Sequence, residues 1–213
     1  MVEVKNVTLS AADRILCSGV TFELGEGEKA ALSGSSGCGK SSLLRALVGL
    51  RGVDSGTIEV GGVELTLATQ GTIRHRIAFL QQEPVMGAET VRDALLLPFT
   101  FKLNARHRPT PEKIAEVLDR VSLADIVLDR PASQLSGGEK QRIAIARGLL
   151  MNRDIILADE ITAALDSDSR DKVIAVLREL PVTLLAITHD PVFRAAFPIE
   201  FRMENQALRK VRP

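Results

Sequence analysis

Tryptophan and tyrosine are absent, and seven phenylalanines bring aromatics to only 3% of the 213 residues, which excludes the stacked-ring platforms that hold single-stranded nucleic acid. Charge of one sign is lacking as well. Twenty-seven lysines and arginines against twenty-seven aspartates and glutamates leave no net charge, so broad electrostatic capture of nucleic acid is not expected. No stretch approaches the ~18 to 20 apolar residues that a membrane-spanning helix needs. The opening MVEVKNVTLS has neither the basic nor the apolar region of a signal peptide, so a cytoplasmic protein is expected. The two cysteines, Cys17 and Cys38, fit neither a CxxC nor a Cys/His metal spacing, which excludes a disulfide framework and a structural zinc. Cys17 reads as a strand-core residue and Cys38 as a small loop residue.

What is present is a globular composition, 45% apolar, enough to bury a substantial core. The first third reads as strands at Val2, Val4 and Val7 to Leu9, then Val20 to Leu24, Lys29 to Ser33, Thr57 to Val60 and Arg76 to Leu80. Glycine turns such as Gly25-Glu26-Gly27 separate them. Ser42 to Leu50 carries apolar residues at helical spacing, with Gly52 as the expected stop. From about Thr90 to Met151 the pattern turns helical, one helix being opened by Thr110 as cap, Pro111 at its first position and Glu112 in its first turn. Asp154 to Ala158 and Val182 to Ile187 are compact apolar strands, and Val173, Val176, Leu177 and Leu180 mark one face of the helix between them. Strands alternating with helices imply a mostly parallel sheet covered on both faces. No internal repeat, low-complexity tract or linker long enough to split the chain is visible.

Gly34-Ser35-Ser36-Gly37-Cys38-Gly39-Lys40-Ser41 lies between the Lys29 to Ser33 strand and the helix that begins at Ser42, which is the setting of a phosphate-binding loop. Its glycines let backbone N–H groups converge on phosphate oxygens, and the helix adds the positive end of its dipole. Lys40 would neutralise the β- and γ-phosphates, and the Ser41 hydroxyl would ligate Mg²⁺. A magnesium site also needs a carboxylate. The strand Ile155-Ile156-Leu157-Ala158 delivers Asp159 and Glu160 at its carboxyl end, where α/β sheets bind ligands. Strand alternation would point the two apart, Asp159 to the metal and Glu160 to a water attacking the γ-phosphate. His189, in Ile187-Thr188-His189-Asp190, could hydrogen-bond the γ-phosphate or serve as a capping or surface residue; His75 and His107 have no such placement. Ser136 and Glu139 form a capping box at the start of another helix, whose Ile143, Ala146 and Leu150 can face inward. The box leaves Gly137 and Gly138 unexplained, since glycine costs a helix about 1 kcal/mol against alanine. Bare backbone there suits the close approach of a second phosphate.

These residues resemble the ATP-binding cassette (ABC) superfamily, whose signature segment stands unbroken here as Leu135-Ser136-Gly137-Gly138-Glu139-Lys140-Gln141-Arg142. The resemblance spans the chain. It implies a P-loop NTPase core of the RecA-like α/β class, with an antiparallel β subdomain and an inserted helical subdomain. In residues 1–213, taken as one ATPase domain, these parts would be 1–85 with 147–213 and, for the helical subdomain, 86–146. Gln82, before Glu83-Pro84, resembles the hinge glutamine, which would act with Glu160 and His189 in hydrolysis and with Ser41 and Asp159 around Mg²⁺. Ala163-Ala164-Leu165-Asp166 resembles the loop that communicates across a dimer, and His189 the switch histidine. The nucleotide contacts implied are Gly34 to Ser42 within one chain and Ser136, Gly137 and Gly138 from a second copy in a head-to-tail ATP sandwich. Cofactors would be ATP and Mg²⁺, and the other partner a multi-spanning membrane permease, received by Glu83 to Pro98, that holds the subunit on the inner face of the cell membrane. Ile161, where most cassettes have proline, the compact length and the short stretch after His189 are similar to the FetA-type bacterial ATPases implicated in iron export. A soluble role, as a cluster-assembly scaffold or cell-division regulator, is the alternative. One departure stands out: Ser10-Ala11-Ala12-Asp13 offers no ring where relatives stack adenine, which implies weakened base recognition.

Overall fold

The computed structural model describes residues 1–12 and 14–212, so Asp13, the last residue of the ringless stretch, lies outside the described residues. The strands are β1 (Val2–Ala11), β2 (Arg14–Leu24), β3 (Lys29–Gly34), β4 (Ser55–Val60), β5 (Val63–Glu64), β6 (Ile77–Leu80), β7 (Ile155–Asp159), β8 (Thr183–Ile187), β9 (Ile199–Glu204) and β10 (Ala207–Arg212). The α-helices are α1 (Lys40–Leu47), α2 (Gln70–Arg76), α3 (Val91–Leu96), α4 (Lys102–Ala105), α5 (Pro111–Arg120), α6 (Gly137–Leu150), α7 (Ser167–Glu179) and α8 (Pro191–Ala196). The chain divides into two compact units, one of Met1–Phe79, Asp154–Glu160 and the chain from Pro181 on, the other of Leu80–Arg153 and Ile161–Leu180.

The first unit carries an antiparallel sheet in the order β2-β1-β4-β5 and most of a second sheet in the order β10-β9-β3-β8-β7-β6. In the second sheet β3 pairs in parallel with β8 and β9, and β7 in parallel with β8, while the β9–β10 hairpin adds an antiparallel edge. Every residue of β7 and β8 is buried, as continuous apolar runs in a parallel sheet require. Helix α1 packs on β3 and β7, and α8 on β3. Leu43 and Leu47 of α1 join Val4 and Leu9 of β1 and Leu32, Leu157 and Phe201 of the parallel sheet in one apolar cluster. Cys17 lies within it, as expected of a strand-core residue, and both cysteines are free. One detail differs from expectation. Helix α1 runs only to Leu47, because Gly49 at φ 66° turns the chain out three residues before Gly52. The stretch after His189, short as it is, folds into α8 and the β9–β10 hairpin.

The second unit is helical. Thr110 caps α5 by accepting from the Lys113 N–H at 3.3 Å, with Pro111 at the first position. Helix α7, expected with the catalytic core, groups with this unit and packs on α5. Polar ties made by its two ends explain the difference: Arg142 donates to the Ser169 hydroxyl at 2.7 Å, and Arg120 pairs with Glu179 at 3.1 Å. Val173, Ile174, Val176 and Leu177 are its buried face, and Leu180 caps its end in extended conformation.

Candidate functional site

The loop from Gly34 to Ser41 begins where β3 ends and closes as α1 begins. A side chain at Gly34 would collide with the carbonyl oxygen of Met203 on β9, which the parallel register sets opposite, so only glycine lets the loop leave the sheet here. Ser35, Ser36 and Gly37 are exposed at the loop's crest, whereas Cys38, Ser41 and Ser42 are half-buried. Gly39 stands at the N-cap of α1 with φ 101° and no side-chain cap. That leaves the first-turn N–H groups and the positive end of the helix dipole to an anion. Lys40 is 95% buried, its Nζ donating to the carbonyls of Gly34 at 2.9 Å and Ser35 at 2.8 Å, with Cys38 Sγ next at 3.8 Å. The ammonium is therefore held inside the loop's own curl.

Asp159 and Glu160 follow on the same edge of the sheet. Asp159 ends β7, only 4% exposed, with Oδ1 buried and no hydrogen-bond partner. An orphaned carboxylate oxygen in such a place is costly without a cation, so it fits a magnesium ligand. Among the described residues no cluster of three or more His, Cys, Asp or Glu could hold a metal ion, so Mg²⁺ here would take the rest of its shell from hydroxyl, amide, phosphate and water oxygens.

Strand alternation does not set the place of Glu160. The strand has ended, and Glu160 sits in the left-handed region at φ 49°, its N–H donating to the Ile187 carbonyl at 3.0 Å. A non-glycine residue in that region costs roughly 1 to 2 kcal/mol, a strain that concentrates at functional sites. The turn brings Glu160 Oε1 to 3.3 Å from His189 Nε2. Capping of α8 falls to Asp190, whose Oδ1 accepts from the Val192 N–H at 2.8 Å, and His189 is left half-exposed beside the carboxylate. Within the first unit the structure thus gathers Asp159, Glu160 and His189 at the carboxyl ends of adjacent strands β7 and β8, with the loop at the end of β3 beside β8.

Gln82 and the Ser136 segment belong to the second unit. Gln82 is exposed in a bend after β6. The capping box is complete: Ser136 Oγ accepts from the Glu139 N–H at 3.2 Å and Glu139 Oε2 accepts from the Ser136 N–H at 2.7 Å. That backbone bond, aided by Ser136 Oγ and the Arg130 guanidinium, holds the Glu139 carboxyl below its usual range. The two glycines separate. A Cβ on Gly138 would meet the Ala164 carbonyl oxygen at 3.1 Å, while one on Gly137 would meet nothing within 4 Å. Packing inside the chain accounts for the first but not the second. Sequence reasoning missed Arg51, which donates to the Ser10 carbonyl and, at 3.4 Å, to the Ser42 hydroxyl, tying the ringless stretch to the first turn of α1.

A phosphate loop at the end of a parallel strand, with two carboxylates and a histidine on the neighbouring strand ends, defines a nucleotide-hydrolysing P-loop protein. The profile of the family described as "ABC transporter" matches residues 17–163. The "Probable iron export ATP-binding protein FetA" of Escherichia coli (strain K12) is 32% identical over 194 residues, which is 89% of this chain and 85% of that protein. The "Energy-coupling factor transporter ATP-binding protein EcfA1" of Lacticaseibacillus paracasei is 37% identical over 195 residues, 87% of this chain and 68% of that one. Among solved structures, the dimeric post-hydrolysis state of the ATP-binding cassette MJ0796, bound to ADP and Pi, superposes with a TM-score of 0.86 at 29% identity, covering 100% of both chains. The chain belongs to the ABC transporter family. It is an ATP-binding, ATP-hydrolysing subunit of a transporter, and among its described residues no helix is long and apolar enough to cross a membrane.

Proposed function

We propose that this subunit hydrolyses ATP at a site made half by its own phosphate loop and half by Ser136, Gly137 and Gly138 of a second copy, and so powers a multi-spanning permease. Gly34 to Ser42 bind the phosphates, with Lys40 neutralising the β- and γ-groups. Glu160 accepts a proton from the attacking water, and His189, oriented by its contact with Glu160, hydrogen-bonds the γ-phosphate. Asp159, Ser41 and Gln82 would hold Mg²⁺, which when bound draws negative charge off the phosphate oxygens. Gln82 would also relay the presence of nucleotide toward the permease. Loss of the γ-phosphate removes contacts from both halves, and the copies separate.

The observation that carries this reading is the strained Glu160 with His189 at 3.3 Å on the strand-end edge that also bears the phosphate loop. Exposed Gly137, with no packing reason to be glycine, supports the second half-site. Glu160→Gln is expected to retain ATP binding, lose turnover and accumulate a dimer by size exclusion; undiminished hydrolysis would remove Glu160 as the base. For the transported substrate, similarity to the iron-export protein of Escherichia coli favours iron or another metal leaving the cell, with the subunit peripheral on the inner membrane face. Co-purification of a multi-spanning membrane protein and metal efflux from cells carrying both chains test this. Unaltered metal content on deleting the pair would refute it.

A further inference from the structure

Buried charge is expensive unless paired, and the first unit holds a buried carboxylate that the hydrolysis scheme leaves unused. Glu200 of β9 keeps only 9% of its side chain exposed and is ringed by three guanidinium groups. Arg212 of β10 pairs with Oε2 at 3.1 Å, and Arg194 of α8 and Arg202 of β9 approach Oε1 at 3.6 and 3.7 Å. The same Oε1 accepts a hydrogen bond from the Ser33 hydroxyl at 3.0 Å, which also lies 3.3 Å from the Phe201 carbonyl.

Ser33 is the last residue before Gly34. Parallel pairing sets Ser33 against Arg202 and Gly34 against Met203, whose carbonyl closes on the glycine too tightly for any side chain. The start of the loop is thus fixed to β9 twice, by the backbone at Gly34 and by the side chain at Ser33. The Gly34 carbonyl in turn accepts from Lys40 Nζ at 2.9 Å. A shift of Ser33 relative to β9 carries that carbonyl, and with it the ammonium that meets the phosphates.

We propose that Glu200 is a positioning residue for nucleotide phosphates, acting through Ser33 and the Gly34 carbonyl on Lys40, with Arg194, Arg202 and Arg212 as its counter-charges. The proposal rests on the reading of Gly34 to Ser41 as the phosphate loop. It assigns the β9–β10 hairpin a part in ATP affinity although none of its side chains need touch the nucleotide.

The test uses the full chain with Glu200→Gln, Ser33→Ala, the double variant and Lys40→Ala, reading the dissociation constant for ATP together with KM and kcat. Ser33→Ala removes the charge-assisted hydrogen bond at the loop's root and Glu200→Gln keeps an acceptor oxygen but gives up its charge, and each is expected to raise Kd and KM about 5- to 10-fold, with kcat held within about twofold. The double variant should be no worse than the poorer single, because both cut one relay. General structural damage would instead lower kcat and the active fraction while the folded molecules kept their affinity. Ser33→Ala, which removes only a hydroxyl, carries the test should Glu200→Gln fail to fold. Unchanged Kd in both single variants beside lost binding in Lys40→Ala would overturn the role of Glu200 alone; unchanged Kd in Lys40→Ala would overturn the phosphate-loop reading and this proposal with it.

Discussion

Ser136 carries two expected roles, cap of α6 and contact to a phosphate held by another copy, and Ser136→Ala can separate them by comparison with Glu139→Gln. As a cap, Ser136 Oγ accepts one N–H at 3.2 Å, the long end of the range, at an exposed position. The cost of removing it is therefore about 0.5 to 1 kcal/mol, the lower half of measured N-cap losses. Glu139→Gln keeps an oxygen for the Ser136 N–H but gives up the charge that faces Arg130 at 2.8 Å, with Glu139 only 21% exposed; about 1 kcal/mol is expected here too. Urea unfolding should show similar midpoint shifts for both variants with little change in slope. Turnover should part them. If Ser136 supplies a hydrogen bond to developing phosphate charge, Ser136→Ala loses about 10- to 100-fold in kcat, while Glu139→Gln stays within about threefold. The ATP affinity of a lone chain should not change in either, because the contact arises only across two copies. In a Glu160→Gln background the ATP-induced dimer should weaken with Ser136→Ala and persist with Glu139→Gln. Equal losses of turnover and equal dimerisation in the two variants would reduce Ser136 to a cap and refute the shared site.

Glu160→Gly should raise unfolding stability by about 1 kcal/mol, since glycine adopts φ 49° freely, while abolishing ATP turnover; a destabilised protein would mean that the turn is not strained. Gly137→Ala, with open space around its new methyl, should leave the lone chain as stable as before or up to about 0.5 kcal/mol more so, yet impair ATP-driven dimerisation; normal dimerisation would show that no phosphate approaches there. Gly34→Ala should fail to fold or lose more than about 2 kcal/mol, readable as soluble yield and unfolding midpoint, because its Cβ meets backbone and not a movable side chain. Acid should weaken the helical unit in a defined direction: backbone N–H groups hold Glu139 and Asp166 below their ordinary values, so the unfolded chain takes up these protons first. The stability they confer is complete above the unfolded values near pH 4 and is lost as pH falls through the lower folded ones; Glu139→Gln should flatten the fall in urea midpoint between about pH 5 and 3.

The features legible in the sequence are those whose cause is local. Thr110, Pro111 and the Ser136–Glu139 pair announce helix starts because a cap bonds within three residues of itself. Apolar runs announce β7 and β8 because both faces of a central parallel strand are covered. Glu160 shows where locality ends. Its place at the strand end is readable, but its approach to His189 depends on a backbone dihedral that no side-chain pattern encodes in a residue other than glycine. The β9–β10 hairpin shows the other limit. Ile199, Phe201 and Met203 form its apolar face, Glu200, Arg202 and Glu204 alternate onto the other, and a charged face of that kind reads as solvent-exposed until the partners are known. Those partners, Ser33 at 167 positions away and Arg212 across the hairpin, exist only after folding. A buried polar cluster built over such separations is invisible to periodicity for the same reason that it is informative in three dimensions: its members were brought together at the cost of desolvating charge, next to the one strand end from which the phosphate loop departs.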